Sequence, residues 1–387
     1  MVRDDRGMEA TWFAGGQALI DGHLVRADIA VADGVIVDTS IPAAMADGAP
    51  VADCAGLVVS PGFIDLQCNG ANGVDITNEP HRINDVAAEL ARFGVTAFLP
   101  TVVTSPAATR TAAIDHARGQ TPGVIAAPLG LHFEGPMISL DHLGAHVGRF
   151  AAEPTELLDE VDTWASSGVV AMVTLAPELA RAAEVIERLR AAGIVVSAGH
   201  TAMTRPDFAA ARSAGVTYVT HLFNAMAPFS HRAPGPIGAV LADPTVTVGI
   251  ICDGIHVDPV AVEMVWRVLG PQRLSLVSDA SPALGAPSGR FQLGGFEVIH
   301  DESGVRTADG VLAGSALPLD RAVRNLLEFT GCSLADALAT VTSTPADLLG
   351  LADRGRIAVG ARADFTIVDQ AGNLQRTVIA GATAWKS

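Results

Sequence analysis

Eight short apolar runs punctuate the middle of the chain, at Phe63 to Leu66, Val95 to Leu99, Val124 to Phe133, Val169 to Leu175, Ile194 to Ser197, Val216 to Thr220, Val246 to Ile251 and Leu274 to Val277. Between them lie longer Ala-, Leu- and Arg-rich segments whose apolar spacing suits amphipathic helices. Parallel strands need a crossover connection, and a helix supplies it, so this alternation predicts a parallel sheet of the α/β class. Eight repeats point to a (β/α)8 TIM-like barrel rather than an open sheet. A chain of 387 residues, 49% hydrophobic, can close one such core and carry a small appendage.

The flanks follow a different pattern. Residues 1 to about 58 carry short alternating stretches broken by turns such as Ile20-Asp21-Gly22-His23 and Ala32-Asp33-Gly34. The C-terminal end resembles them, with strands expected at Gly355 to Val359, Asp364 to Val368 and Thr377 to Ala382. The expected organisation is therefore a small β-sandwich domain formed from both termini, residues 1–58 plus 355–387, beside a barrel spanning 59–354.

Three residues stand where apolar runs end: Glu134 in His-Phe-Glu-Gly-Pro, His200 in Ser-Ala-Gly-His-Thr and His221 in Thr-His-Leu-Phe-Asn. One carboxylate and two imidazoles suit a divalent ion such as Zn²⁺ or Fe²⁺, and three protein ligands leave a position open for water, the mark of a catalytic ion. Each of these residues alone reads as a hydrogen-bonded structural group; together, on the C-terminal rim of a barrel, they read as a metallohydrolase site. Asp279, in Leu-Val-Ser-Asp-Ala, follows the last strand on the same rim. A carboxylate there can take a proton from an activated water and return it to a leaving amine, although an Asp at such a turn is also a common helix cap.

Composition narrows the partners. A net charge of −17 argues against nucleic acid and anionic membrane, which both require a basic surface. No apolar run approaches the ~18 residues of a membrane span, and the opening Met-Val-Arg-Asp-Asp-Arg has no leader character, so a cytoplasmic protein is expected. Cys54, Cys68, Cys252 and Cys332 are widely spaced, with no Cys-x-x-Cys pair to suggest a zinc ribbon. The single lysine, Lys386, is badly placed for a Schiff base or a lysine-bridged two-metal centre.

The motifs in order are Pro-Gly-Phe-Ile-Asp-Leu-Gln-Cys-Asn-Gly (61–70), Leu-His-Phe-Glu-Gly-Pro (131–136), Gly-Ala-His (144–146), Ser-Ala-Gly-His-Thr (197–201), His-Leu-Phe-Asn-Ala-Met (221–226), Cys-Asp-Gly-Ile-His (252–256), Ser-Asp-Ala (278–280) and Leu-Ala-Gly-Ser (312–315). This set resembles the amidohydrolase superfamily, and within it the N-acetylglucosamine-6-phosphate deacetylase family. The resemblance implies a metal-dependent hydrolase that converts N-acetyl-D-glucosamine 6-phosphate to D-glucosamine 6-phosphate and acetate, with a barrel and a small β domain built from both termini. It implies one divalent ion per subunit on Glu134, His200 and His221, Zn²⁺ foremost and Fe, Co or Mn as alternatives, with Asp279 as proton shuttle.

The same resemblance places His146 at the acetyl carbonyl as a catalytic and substrate-binding donor, His256 on sugar hydroxyls, and Asn224 and Ala225 on sugar or phosphate. Arg232, in Pro-Phe-Ser-His-Arg-Ala-Pro-Gly, is the implied phosphate ligand, near the neighbouring subunit's site in a homodimer; a planar guanidinium suits a phosphate dianion. The superfamily's His-x-His pair reads Gln67-Cys68-Asn69 here. Amides are poor Zn²⁺ ligands, so Gln67 and Asn69 are expected as outer-shell groups or a weak second metal site. The competing readings are an amidohydrolase acting on another N-acyl substrate, either N-acetylgalactosamine 6-phosphate or a non-sugar amide, and a non-catalytic sugar-phosphate sensor.

Overall fold

The structure, a computed structural model, describes residues 10–39, 50–119 and 123–387. Expectations that touch residues 1–9 and 40–49 of the small domain fall outside the described residues.

The central sheet is parallel. Its strands are β1 Phe63–Cys68, β2 Val95–Val103, β3 Leu131–Glu134, β4 Val170–Leu175, β5 Val195–Ala198, β6 Tyr218–Val219, β7 Thr247–Ile250 and β8 Leu274–Leu276, each hydrogen-bonded to the next. All nine residues of β2 are buried, as expected of a strand covered on both faces. The seam between β8 and β1 is closed by a parallel bridge from Cys68 to Ala280 and by Asn69 N–H donating to the Ala280 carbonyl at 2.7 Å. Buried Asp65 reinforces it: the Ser278 hydroxyl and the Ser278 N–H both donate to its carboxylate. Burial pushes the Asp65 carboxyl up to about 7.

Helices surround the sheet, and their ends follow from local sequence. Arg205–Ala214 begins with a capping box, the Thr204 hydroxyl accepting from Asp207 N–H, and ends at Gly215. Pro259–Leu269 starts with Asp258 accepting from Val260 N–H and Pro259 in the first turn, and buries Val262, Val265 and Leu269 at helical spacing. Its outer face keeps Val260, Met264 and Val268 exposed.

Two of the remaining sheets form a separate layer pair outside the barrel. One runs Val35–Asp38, Ile29–Ala32, Thr11–Ala14, Val51–Asp53; the other runs Ala382–Lys386, Leu374–Ile379, Phe365–Val368, Val58–Pro61, Gln17–Ile20, His23–Arg26. Phe13, Ile29 and Ile36 of the first share a core with Val59, Phe365, Ile367 and Val378 of the second, which makes a sandwich from both ends of the chain. Phe13 and Phe365 meet edge to face at 5.2 Å.

Three expected strands differ. The run from Val124 breaks into Ala127–Pro128, which pairs with β2, and the barrel strand Leu131–Glu134; Pro128 and Gly130 (φ +116°) interrupt the ladder between them. Gly355 to Val359 forms turns, because Gly355 (φ +70°) presses against Thr342 and Ala346 where a Cβ would lie 2.4 Å from the Ala346 Cβ. Thr377 to Ala382 spans a hairpin whose turn is Ala380-Gly381, both at positive φ. A meander of Gly289–Leu293, Phe296–Asp301 and Gly304–Thr307, inserted after β8, was not anticipated from the sequence at all.

Candidate active site

A cavity of about 180 Å³ opens on the C-terminal rim, lined by Asn69, Glu134, His146, His200, His221, Asn224, Ala225, His256 and Asp279, with the meander residues Leu293 and Phe296 and the segment Val311–Gly314 as its roof. Glu134 is the last residue of β3, while His200, His221 and Asp279 sit just past β5, β6 and β8 at φ +50°, +24° and +47°. Left-handed backbone at non-glycine residues costs energy, so its recurrence at these strand ends marks positions where the fold turns a side chain inward.

Glu134, His200 and His221 each offer one ligand atom, all within 4.8 Å of one another, and all three are buried. Glu134 Oε1 lies 3.1 Å from His200 Nε2 and 2.8 Å from His221 Nε2. Burial pushes the Glu134 carboxyl up, but the contacts with its imidazole neighbours His146, His200 and His221 outweigh burial and hold the group well below the usual carboxylate range. Burial, with His146 nearby, lowers His200 to about 4, so its ring is neutral. His200 Nδ1 lies 3.1 Å from the His142 carbonyl, to which only an N–H can donate. That fixes the tautomer and leaves the Nε2 lone pair facing a carboxylate oxygen. Two acceptors held face to face in a buried pocket fit a cation between them. Against the cost of its burial, contact with Glu134 raises His221.

Gln67 and Asn69 act here as hydrogen-bond donors. Gln67 Nε2 donates to Glu134 Oε1 at 2.9 Å and to Asp279 Oδ1 at 3.0 Å, and Asn69 Nδ2 donates to the same Asp279 oxygen at 2.8 Å. The Thr220 hydroxyl donates to Gln67 Oε1, which settles the orientation of the amide. Asp279 is thereby held in place, and burial, reinforced by the Glu134 charge, raises its pKa to about 6. A carboxylate near neutrality both accepts and returns a proton. Cys68, between the two amides, is buried against the Gly70 carbonyl with its thiol pushed well above its usual pKa, so it packs as an apolar group.

His146 Nδ1 contacts the Thr104 hydroxyl at 2.7 Å, its Nε2 lies 3.6 Å from Glu134 Oε2, and its ring stands 4.4 Å from that of His200. His256 Nδ1 contacts Asp253 Oδ2 at 2.6 Å, and its N–H donates to Asp253 Oδ1. Burial opposes ionisation of Asp253, but His256 outweighs it and keeps the carboxylate below its ordinary pKa. Thr104 and Asp253 were missed from the sequence; Asp253 lies within Cys-Asp-Gly-Ile-His, and its spacing of three from His256 was the available signal.

Arg232 is not in this constellation. It is exposed in the loop between β6 and the helix Gly235–Ala242, beside exposed Phe229 and His231. Among the described residues that line the cavity, none is Arg or Lys.

The amidohydrolase family profile matches residues 58–384. N-acetylglucosamine-6-phosphate deacetylases of Homo sapiens and Mus musculus are 39% and 38% identical to the chain, each alignment covering 98% of it and 97% of the relative. A crystallised N-acetyl-D-glucosamine-6-phosphate deacetylase mutant from Mycobacterium smegmatis, in complex with N-acetyl-D-glucosamine-6-phosphate, superposes with a TM-score of 0.89 at 30% identity, covering 97% of this chain and all of that one.

Proposed function

Because this chain belongs to the amidohydrolase family, we propose that it hydrolyses the acetamide of N-acetylglucosamine 6-phosphate to glucosamine 6-phosphate and acetate. The observation that carries the reading is the convergence of Glu134, His200 and His221 beside a carboxylate, Asp279, held by two amides.

Glu134, His200 and His221 would hold one divalent ion, and Zn²⁺ suits this ligand set. When bound, the ion supplies a Lewis acid that polarises the acyl oxygen and lowers the pKa of water toward neutrality. Asp279 takes the proton from the attacking water at its carboxylate. As the C–N bond breaks, it passes that proton to the departing nitrogen, so the acid and base roles alternate on one residue. Gln67 and Asn69 keep the Asp279 oxygen fixed through both transfers. His146, backed by Thr104, donates toward the oxygen that gains charge in the transition state. His256, oriented by Asp253, faces the cavity as a donor for sugar hydroxyls, with Asn224 and Ala225 beside it.

The dianionic phosphate needs a cation that the described cavity lining lacks. Exposed Arg232 is suited to supply it to a neighbouring copy, in a homodimer for which the exposed stripe Val260, Met264 and Val268 provides apolar surface. Among the described residues no helix is long and apolar enough to cross a membrane.

Removal of the ion tests the reading. Dialysis against a chelator is expected to abolish acetate release and lower the thermal midpoint, and one equivalent of Zn²⁺ per chain is expected to restore both. Full activity in protein shown to be free of metal would reject it.

A further inference from the structure

The insertion after β8 reaches back over the cavity, and its first hairpin turn, Leu293-Gly294-Gly295-Phe296, supplies two apolar side chains to the lining. Leu293 is almost fully buried, in a cluster with Ala283, Val298, Val305 and Ala313 against which Ala145 also packs. Ala145 directly precedes His146. Leu293 also borders Gly314: a Cβ there would lie 3.7 Å from Leu293 Cδ2 and 3.0 Å from the Asp279 carbonyl oxygen. Leu293 therefore stands between the segments that carry His146 and Asp279, the two residues assigned to opposite ends of the scissile amide.

The turn is fastened to the barrel. Asp75, buried, accepts from Gly294 N–H at 2.8 Å and from Thr77 N–H at 3.0 Å; Asn78 Nδ2 donates to the Gly294 carbonyl at 2.5 Å and to Asp75 Oδ2 at 2.6 Å. Gly294 (φ +56°) sits so close to Val103 that a Cβ would come within 2.7 Å of its Cγ2. Asp75 belongs to the loop that leaves β1, where it pairs with Gly70 one residue after Asn69, and Asn69 donates to Asp279. One loop thus fixes the proton-shuttling carboxylate at one end and the apolar turn at the other.

Resting on the deacetylase reading, we propose that the turn Leu293–Phe296 is the wall that receives the acyl chain and limits its length, and that Asp75 and Asn78 are positioning residues that set the distance of this wall from Asp279. An N-acetyl sugar phosphate has one wholly apolar substituent, the acyl methyl. A buried leucine between the groups that act on the carbonyl and on the nitrogen is the surface to meet it, while the polar sugar lies toward Asn224, Ala225 and His256. A longer acyl chain then collides with a wall that cannot readily retreat, because Gly294 at its turn is hydrogen-bonded through its N–H to buried Asp75 and through its carbonyl to Asn78.

The experiment compares kcat/KM for N-acetyl-, N-propionyl- and N-butyryl-glucosamine 6-phosphate in the metal-loaded native protein and in Leu293→Ala, Leu293→Val, Asp75→Asn and Asn78→Ala. Opening the wall is expected to raise the propionyl-to-acetyl ratio about tenfold or more in Leu293→Ala, a methylene-sized discrimination, with Leu293→Val intermediate. Asp75→Asn and Asn78→Ala are expected to shift the ratio in the same direction by a smaller factor. If Leu293→Ala does not fold, Leu293→Val decides. An unchanged ratio in a Leu293 variant that still cleaves the acetyl substrate overturns the wall. A proportional loss on all three substrates in both Asp75→Asn and Asn78→Ala, with no change of ratio, overturns their positioning role. Failure of the native protein on every sugar phosphate overturns the deacetylase reading itself, and the acyl wall with it.

Discussion

At the scale of single residues, the site depends on which atoms are left without a proton. His200 spends its N–H on the His142 carbonyl, and Asp279 receives two amide N–H groups on one oxygen. Replacing Asp279 by Asn leaves the shape and removes the proton carrier, so kcat is expected to fall by roughly 10²–10⁴ with metal content unchanged, measured by single-turnover acetate release and metal analysis. A loss of metal in step with activity would instead make Asp279 a ligand. Arg232→Ala is expected to raise KM for the phosphorylated substrate about tenfold to a hundredfold and leave kcat nearly untouched, the signature of a lost charged hydrogen bond made equally in ground and transition states. Much of this was legible in the chain, since Glu134, His200, His221 and Asp279 each follow an apolar run, beside a Gly, Ser or Thr. Thr104 and Leu293 were not legible in this way. Their importance lies in a partner's side chain, and nothing local distinguishes a threonine under a histidine from one in any strand.

Elements were readable where periodicity is strong and less so where strands break. The eight barrel strands emerge as short, mostly buried apolar runs, and the sandwich as paired short strands at both ends. The Ala380-Gly381 turn hid inside what looked like one strand, because an Ala at positive φ (+48°) carries no sequence signal. The meander Gly289–Thr307 escaped for another reason: its strands alternate weakly, being half-exposed, and only tertiary contact explains them. Barrel closure yields a prediction at this scale. Asp65 binds its proton far more tightly folded, at about 7, than the ordinary 3.8, so its contribution to stability is full below about 3.8 and is lost as pH rises through about 7. Asp65→Asn does not titrate, and the difference in unfolding free energy between variant and native protein is expected to move in the variant's favour as pH rises from about 4 to about 7. Denaturant titrations at several pH values check it; parallel pH profiles for the two proteins would show that Asp65 does not carry this proton.

For the whole molecule, a strongly acidic chain offers an anionic substrate a cavity whose described lining has no Arg or Lys, while Arg232 stands exposed outside it. If a second copy supplies Arg232, two variants that are each defective at low substrate complement each other. Co-refolded Asp279→Asn and Arg232→Ala chains are expected to recover about a quarter of native activity at low substrate, because half of randomly mixed dimers contain one intact site of two. No recovery in mixtures shown to be heterodimeric would place Arg232 on its own subunit's site or outside the reaction. The central claim, a metal-dependent deacetylase that reads its substrate by the phosphate, is tested most directly by acetate release from N-acetylglucosamine 6-phosphate and from unphosphorylated N-acetylglucosamine under identical conditions with the metal-loaded protein. The account predicts rapid release from the phosphorylated sugar and kcat/KM lower by a factor of about ten or more without the phosphate. Equal rates on both sugars, or release from neither with the metal confirmed in place, would contradict it.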